Sequence, residues 1–134
     1  MKQKPSTNET QAQFTEPVAV TSVGSENSAF ESLSASLTEI RKLKGVIGYI
    51  LRSNGSAIID LNEQDKIMEY AVLSSQVHES SQEMAKQFNL GETETVLIEG
   101  KDIKMLCMTQ GENRISIFMG RSANHAWIIK RILL

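Results

Sequence analysis

Residues 45–60 read GVIGYILRSNGSAIID. From Val46 to Arg52 the run is almost continuously apolar, and Ala57 to Leu61 returns it after Ser53-Asn54-Gly55-Ser56. Asn-Gly between two such runs is a strong hairpin signal, because a type I′ turn asks for positive φ at both central residues. Continuous rather than alternating hydrophobicity describes strands covered on both faces. The stretch therefore predicts a hairpin in a sheet with helices on both sides. It carries almost no chemistry.

Upstream, Phe30, Leu33, Leu37, Ile40 and Leu43 or Lys44 recur at spacings of three and four, one apolar stripe of a helix. Asn27 or Ser28 would cap its start. Arg41, Lys42 and Lys44 complement the dipole at its end, and Gly45 supplies the stop. Residues 1–27 differ in kind. They hold both prolines, Pro5 and Pro17, among Thr, Ser, Glu, Gln and Asn. Too little apolar surface is present to offset ordering entropy, so a disordered polar tail is expected, with 28–134 as a single domain. Within the tail, residues 18–23 (VAVTSV) could pair transiently with a sheet edge.

Downstream, residues 63–88 predict a long helix of roughly 36 Å at 1.5 Å per residue. Its stripe runs Ile67, Tyr70, Ala71, Ser74, Val77, Ser81, Met84, Ala85 and Phe88, with Gly91 suited to the exit. Ser74 and Ser81 interrupt the stripe, and small residues there admit a close neighbour. A weaker stripe of Met68, Val72, Ser75 and Glu79 hints at a second contact surface. Three strands follow, at 93–99, 103–109 and 114–119. Tight turns at Gly100-Lys-Asp102 and Gln110-Gly-Glu-Asn113 make them an antiparallel meander. A last helix spans 124–134, capped by Ser122 or Asn124, with Trp127, Ile128, Ile132 and Leu133 apolar. The order α-β-β-α-β-β-β-α describes an α+β domain. Its centre is a five-stranded antiparallel sheet with helices on both faces.

Composition excludes several functions. Among 134 residues, 14 basic and 16 acidic side chains give a formal charge of -2, no electrostatic reason to bind nucleic acid. One tryptophan, two tyrosines and four phenylalanines make a poor base-stacking platform. Cys107 is the single cysteine; it lies among Leu106 and Met108, where it reads as a small buried hydrophobe rather than a reactive thiol. The N-terminal residues lack the apolar segment of a secretory signal, and no run approaches the ~20 residues of a membrane helix. The expected compartment is the cytoplasm.

No chemistry emerges from the motifs. His78-Glu79 resembles the start of a zinc-protease helix, but Gln82 stands where the second histidine belongs. The other histidine, His125, is distant, near the start of the last helix, where it could share in capping. His78 reads as a surface or helix-face residue. No phosphate-cradling Gly-Lys-Ser/Thr loop and no nucleophile elbow occur. Asp60, Glu63, Asp65, Glu69, Glu79 and Glu83 read as solvated carboxylates rather than an acid–base pair. No cofactor or metal site is expected, and the expected role is non-enzymatic.

The sequence resembles the Roadblock / dynein light-chain family, which includes prokaryotic regulators of Ras-like small GTPases. The likeness rests on Leu43-Lys-Gly45 entering Val46-Ile-Gly-Tyr-Ile-Leu51 and on the return Asn54-Gly-Ser-Ala-Ile-Ile59. It continues in Ala85-Lys-Gln-Phe-Asn-Leu-Gly91 and Thr95-Val-Leu-Ile-Glu-Gly100, with a short helix after Gly120-Arg-Ser-Ala-Asn124. It covers residues 28–134. Asn124-His-Ala-Trp127 departs from the family's entry to the last helix, and the long helix is richer in Ser and Gln. The resemblance implies a Roadblock/profilin-like fold and a homodimer, with long helices antiparallel and sheet edges joined. Its interface would use Thr95, Val96, Leu97 and Ile98 with Ser75, Glu79 and Gln82. The implied partner is a small Ras-like GTPase, with scaffolding of a motor or other complex, or small-molecule sensing, as alternatives. Arg52 and Arg121 are available arginines, and neither is marked as an inserted catalytic finger.

Overall fold

The computed structural model describes residues 25–134, with side chains from Ser28 onward. Residues 1–24 of the expected tail, 18–23 included, lie outside the described residues, and 25–27 belong to the first helix. The elements run α1 (Ser25–Arg41), β1 (Val46–Ser53), β2 (Ser56–Leu61), a 3₁₀ turn (Gln64–Lys66), α2 (Ile67–Gln87), β3 (Thr95–Glu99), β4 (Ile103–Gln110), β5 (Asn113–Gly120) and α3 (His125–Leu133). The sheet is antiparallel throughout, in the order β2-β1-β5-β4-β3. The expected fold class and element order are both present.

The continuous apolarity of β1 has the predicted cause. Tyr49 and Leu51 face a core built with Phe30, Leu33, Leu37 and Ile40 of α1 and with Ile128 and Ile132 of α3. Ile50 points the other way, into a smaller core with Leu61, Met105, Cys107 and Phe118, which α2 covers. Gly48 sits where β1 bulges against β5, and a Cβ there would lie 2.3 Å from the Asp60 carbonyl oxygen. Only glycine allows that approach.

Several boundaries differ from expectation. α1 begins at Ser25, ahead of Asn27 and Ser28, and it ends at Arg41, four residues before Gly45. The Arg41 guanidinium donates to the Val46 carbonyl at 3.1 Å, to Asp60 at 3.4 Å and to Asn62. This ties the helix end to both strands of the hairpin. It also removes Asp60 from the solvated carboxylates. The hairpin turn pairs Ser53 with Ser56, but only Gly55 (φ 74°) is left-handed. Asn54 is not, so the type I′ expectation fails; its amide instead reaches Glu112 on the neighbouring β4–β5 turn.

The long helix is shorter than expected, because 64–66 form a 3₁₀ turn; 21 residues remain, about 31 Å. Its exit is made by Asn89 (φ 57°) rather than Gly91 alone. Leu90 N–H donates to Ala85 O at 2.8 Å and Asn89 N–H to Lys86 O at 3.3 Å, the two bonds of a Schellman motif. At α3, Asn124 accepts from Trp127 N–H at 3.0 Å. His125 does not share in the cap; its Nδ1 meets Nζ of the buried Lys104 at 2.9 Å.

Candidate functional site

Under α2 lies a polar cluster that the stripe pattern concealed. Ser74 Oγ meets Ser116 Oγ of β5 at 2.6 Å, His78 Nε2 meets the same oxygen at 3.2 Å, and Cys107 Sγ lies 3.5 Å from it. All four are at most 3 % exposed. Of the two expected places for His78, surface or helix face, the structure has the helix face, on the buried side of α2. The reason is pairing: a buried imidazole is tolerated where a hydroxyl answers it. Burial first, and then the charges of Arg114 and Arg52, hold its pKa down to about 4. Burial also pushes the Cys107 thiol up, which suits the inert reading. Ser74 breaks the apolar stripe because it needs this partner. No solvent reaches the cluster, so it fixes how α2 sits on the sheet.

Strand alternation puts Arg52 beyond Ile50 and Arg114 beyond Ser116 on the same α2-covered face. The register makes Arg52 and Arg114 directly opposite cross-strand partners, and Thr109 faces Arg114 from β4. These side chains floor an open cleft of about 800 Å³ beside α2. Ser75, Glu79 and Gln82 form its helical wall. Gln82 is engaged there: its Nε2 donates to Thr93 O at 3.1 Å and its Oε1 accepts from Thr93 N–H at 3.3 Å. Among the described residues the four ion pairs lie elsewhere, Arg121 being paired with Glu99 at 3.6 Å. Neither Arg52 nor Arg114 belongs to one.

The remaining predicted interface residues lie apart from the cleft. Thr95, Val96, Leu97 and Ile98 form β3, an edge of the sheet. Leu97 packs on the larger core, Val96 on the smaller, and Ile98 is 41 % exposed. α2 crosses the sheet over β4 and β5, with Tyr70 stacked on Phe118 at 4.5 Å. Since the Ser75–Glu79–Gln82 side faces the arginines of β1 and β5, helical periodicity turns the Leu73–Val77–Met84 side toward β3. There Leu73, Met84 and Phe88 are exposed, Phe88 by 70 %. So the structure places β3 beside Leu73, Met84 and Phe88, and places Ser75, Glu79 and Gln82 around the cleft. Met68 and Val72 of the weaker stripe are exposed as well.

Sequence reading missed Arg114 and found Arg52 only as an available cation. Alternation gives each its face, but their juxtaposition depends on pairing across 62 residues. Among the described residues no three His, Cys, Asp or Glu side chains converge, and no helix is long and apolar enough to cross a membrane.

The family model of the Roadblock/LC7 domain matches residues 34–115. No curated protein matches the sequence significantly. Among solved structures, the Roadblock/LC7 domain from Streptomyces avermitilis superposes with a TM-score of 0.60 at 15% identity. The match covers 75% of this chain and 84% of that one. The chain belongs to the Roadblock/LC7 domain family, a family of regulatory and scaffolding binding domains.

Proposed function

We propose that this Roadblock/LC7 domain is a non-enzymatic cytoplasmic homodimer that binds a small Ras-like GTPase and modulates its nucleotide cycle. The carrying observation is the open β3 edge flanked by the exposed Leu73, Met84 and Phe88 of α2. A strand edge with unpaired backbone groups beside exposed apolar side chains is a liability unless a second chain covers it. Two copies related by a two-fold axis would extend one sheet through Thr95, Val96, Leu97 and Ile98 and pack α2 on α2. Such isologous contact uses the same patch twice. The family's prokaryotic regulators of small GTPases, resembled in sequence, support the choice of partner.

In this reading the α2 residues at the interface are Leu73, Met84 and Phe88 rather than Ser75, Glu79 and Gln82, which face the cleft. The dimer presents two copies of every outward surface and so can scaffold a partner without chemistry of its own. Sedimentation of the full chain at micromolar concentration is expected to give a dimer, and Ile98→Lys with Met84→Glu a folded monomer. A monomeric wild type overturns the dimer. For the partner, co-elution with a small GTPase from the same genome and an altered hydrolysis or exchange rate are expected; neither effect with any such GTPase overturns that part.

A further inference from the structure

We propose that the cleft floored by Arg52 and Arg114 is a binding site for a phosphate-type oxyanion carried by a small molecule. The proposal does not rest on the dimer or on the GTPase. Like charges directly opposite on neighbouring strands repel each other, with Cβ atoms only about 5 Å apart. Here the two guanidiniums are register partners on one face, and neither has an ion-pair partner among the described residues. Two arginines on adjacent strands that line one cleft can offer planar forks to the oxygens of a phosphate, which each can bind in bidentate fashion.

The surroundings suit a small ligand. Ser53, Asn54, Gln82 and Thr109 line the same cleft with hydroxyl and amide groups. A volume of about 800 Å³ lies in the range of small-molecule sites. Of the acidic lining residues, Glu112 is held by the Asn54 amide, while Glu79 and Glu92 are exposed at the rim. The rim glutamates select against ligands with extended negative charge, and the floor selects for one compact anionic group.

Thermal melting and NMR titration of the full chain with inorganic phosphate test this, at constant ionic strength set with chloride. Phosphate is expected to raise the melting temperature of the wild type with saturation. In the Arg52→Gln/Arg114→Gln variant, half-saturation should move at least roughly tenfold higher, the size of one lost strong contact. Glu79→Gln should tighten binding. Without phosphate, Arg114→Gln alone should melt no lower than wild type, since it relieves repulsion. The His78 ring gives a local signal. It meets Ser116 Oγ at 3.2 Å and lies in the field of both arginines, so bound phosphate should raise its pKa above the unliganded value of about 4.

Three outcomes overturn the site: no saturable phosphate effect, an equal effect in the double variant, or a clear loss of stability in phosphate-free Arg114→Gln. The last would mean that the arginine serves the fold through a partner of its own. A sugar phosphate or nucleoside monophosphate binding more tightly than inorganic phosphate identifies a metabolite as the source. An acidic peptide that saturates the cleft while phosphate does not overturns the small-molecule assignment.

Discussion

His78 is where sequence and environment diverge most. The unfolded chain takes up its proton near the ordinary histidine value of about 6.5 and the folded chain near 4. Between these values the unfolded state binds more protons, so stability falls as pH drops below about 6.5 and the loss is complete near pH 4. The full effect is on the order of 3 kcal/mol. Urea unfolding at pH 7 and 5.5 should show this slope in wild type and lose it in His78→Gln. Arg41 is the other decisive residue. Its contacts to Val46, Asp60 and Asn62 join α1 to the hairpin. Arg41→Ala should cost about 2 kcal/mol, read from the urea midpoint, with charged hydrogen bonds supplying most of it. Neither role was legible in sequence, because Asp60 lies 19 residues from Arg41 and Ser116 lies 38 from His78.

At the scale of elements, apolar runs and helical stripes located the α-helices and strands of the described residues, but local chemistry set their ends. The Asn54-Gly55 signal gave a hairpin without giving its turn type, since Asn54 had a better partner in Glu112 than a left-handed backbone. α2 ends at Gln87 because Asn89 takes a positive φ and closes the Schellman bonds. Glycine holds that conformation with less strain, so Asn89→Gly should stabilise by about 0.5 kcal/mol and Asn89→Val should destabilise by about 1 kcal/mol. Calorimetric melting of the pair checks the opposite signs. In β1, Gly48→Ala forces a methyl toward the Asp60 carbonyl, and a loss of about 2–3 kcal/mol is expected from the same measurement.

For the whole molecule, the two unequal cores give α1 and α3 one face of the sheet and α2 the other. The open edge at β3 then makes stability depend on concentration if the proposed dimer forms. Tenfold dilution should lower the melting temperature of wild type and leave that of the Ile98→Lys/Met84→Glu variant unchanged, because only the associated state gains from mass action. The chain's own residues determined the fold class. Apolar runs at 46–52 and 103–109, helical stripes and turn residues are local signals, and burial makes them unambiguous. Tertiary structure alone decided that β5 lies between β1 and β4. That pairing sets Arg52 against Arg114, hides His78 over Ser116 and turns Ser75, Glu79 and Gln82 away from the β3 edge. Each of these depends on register between distant strands, which no local pattern of side chains records.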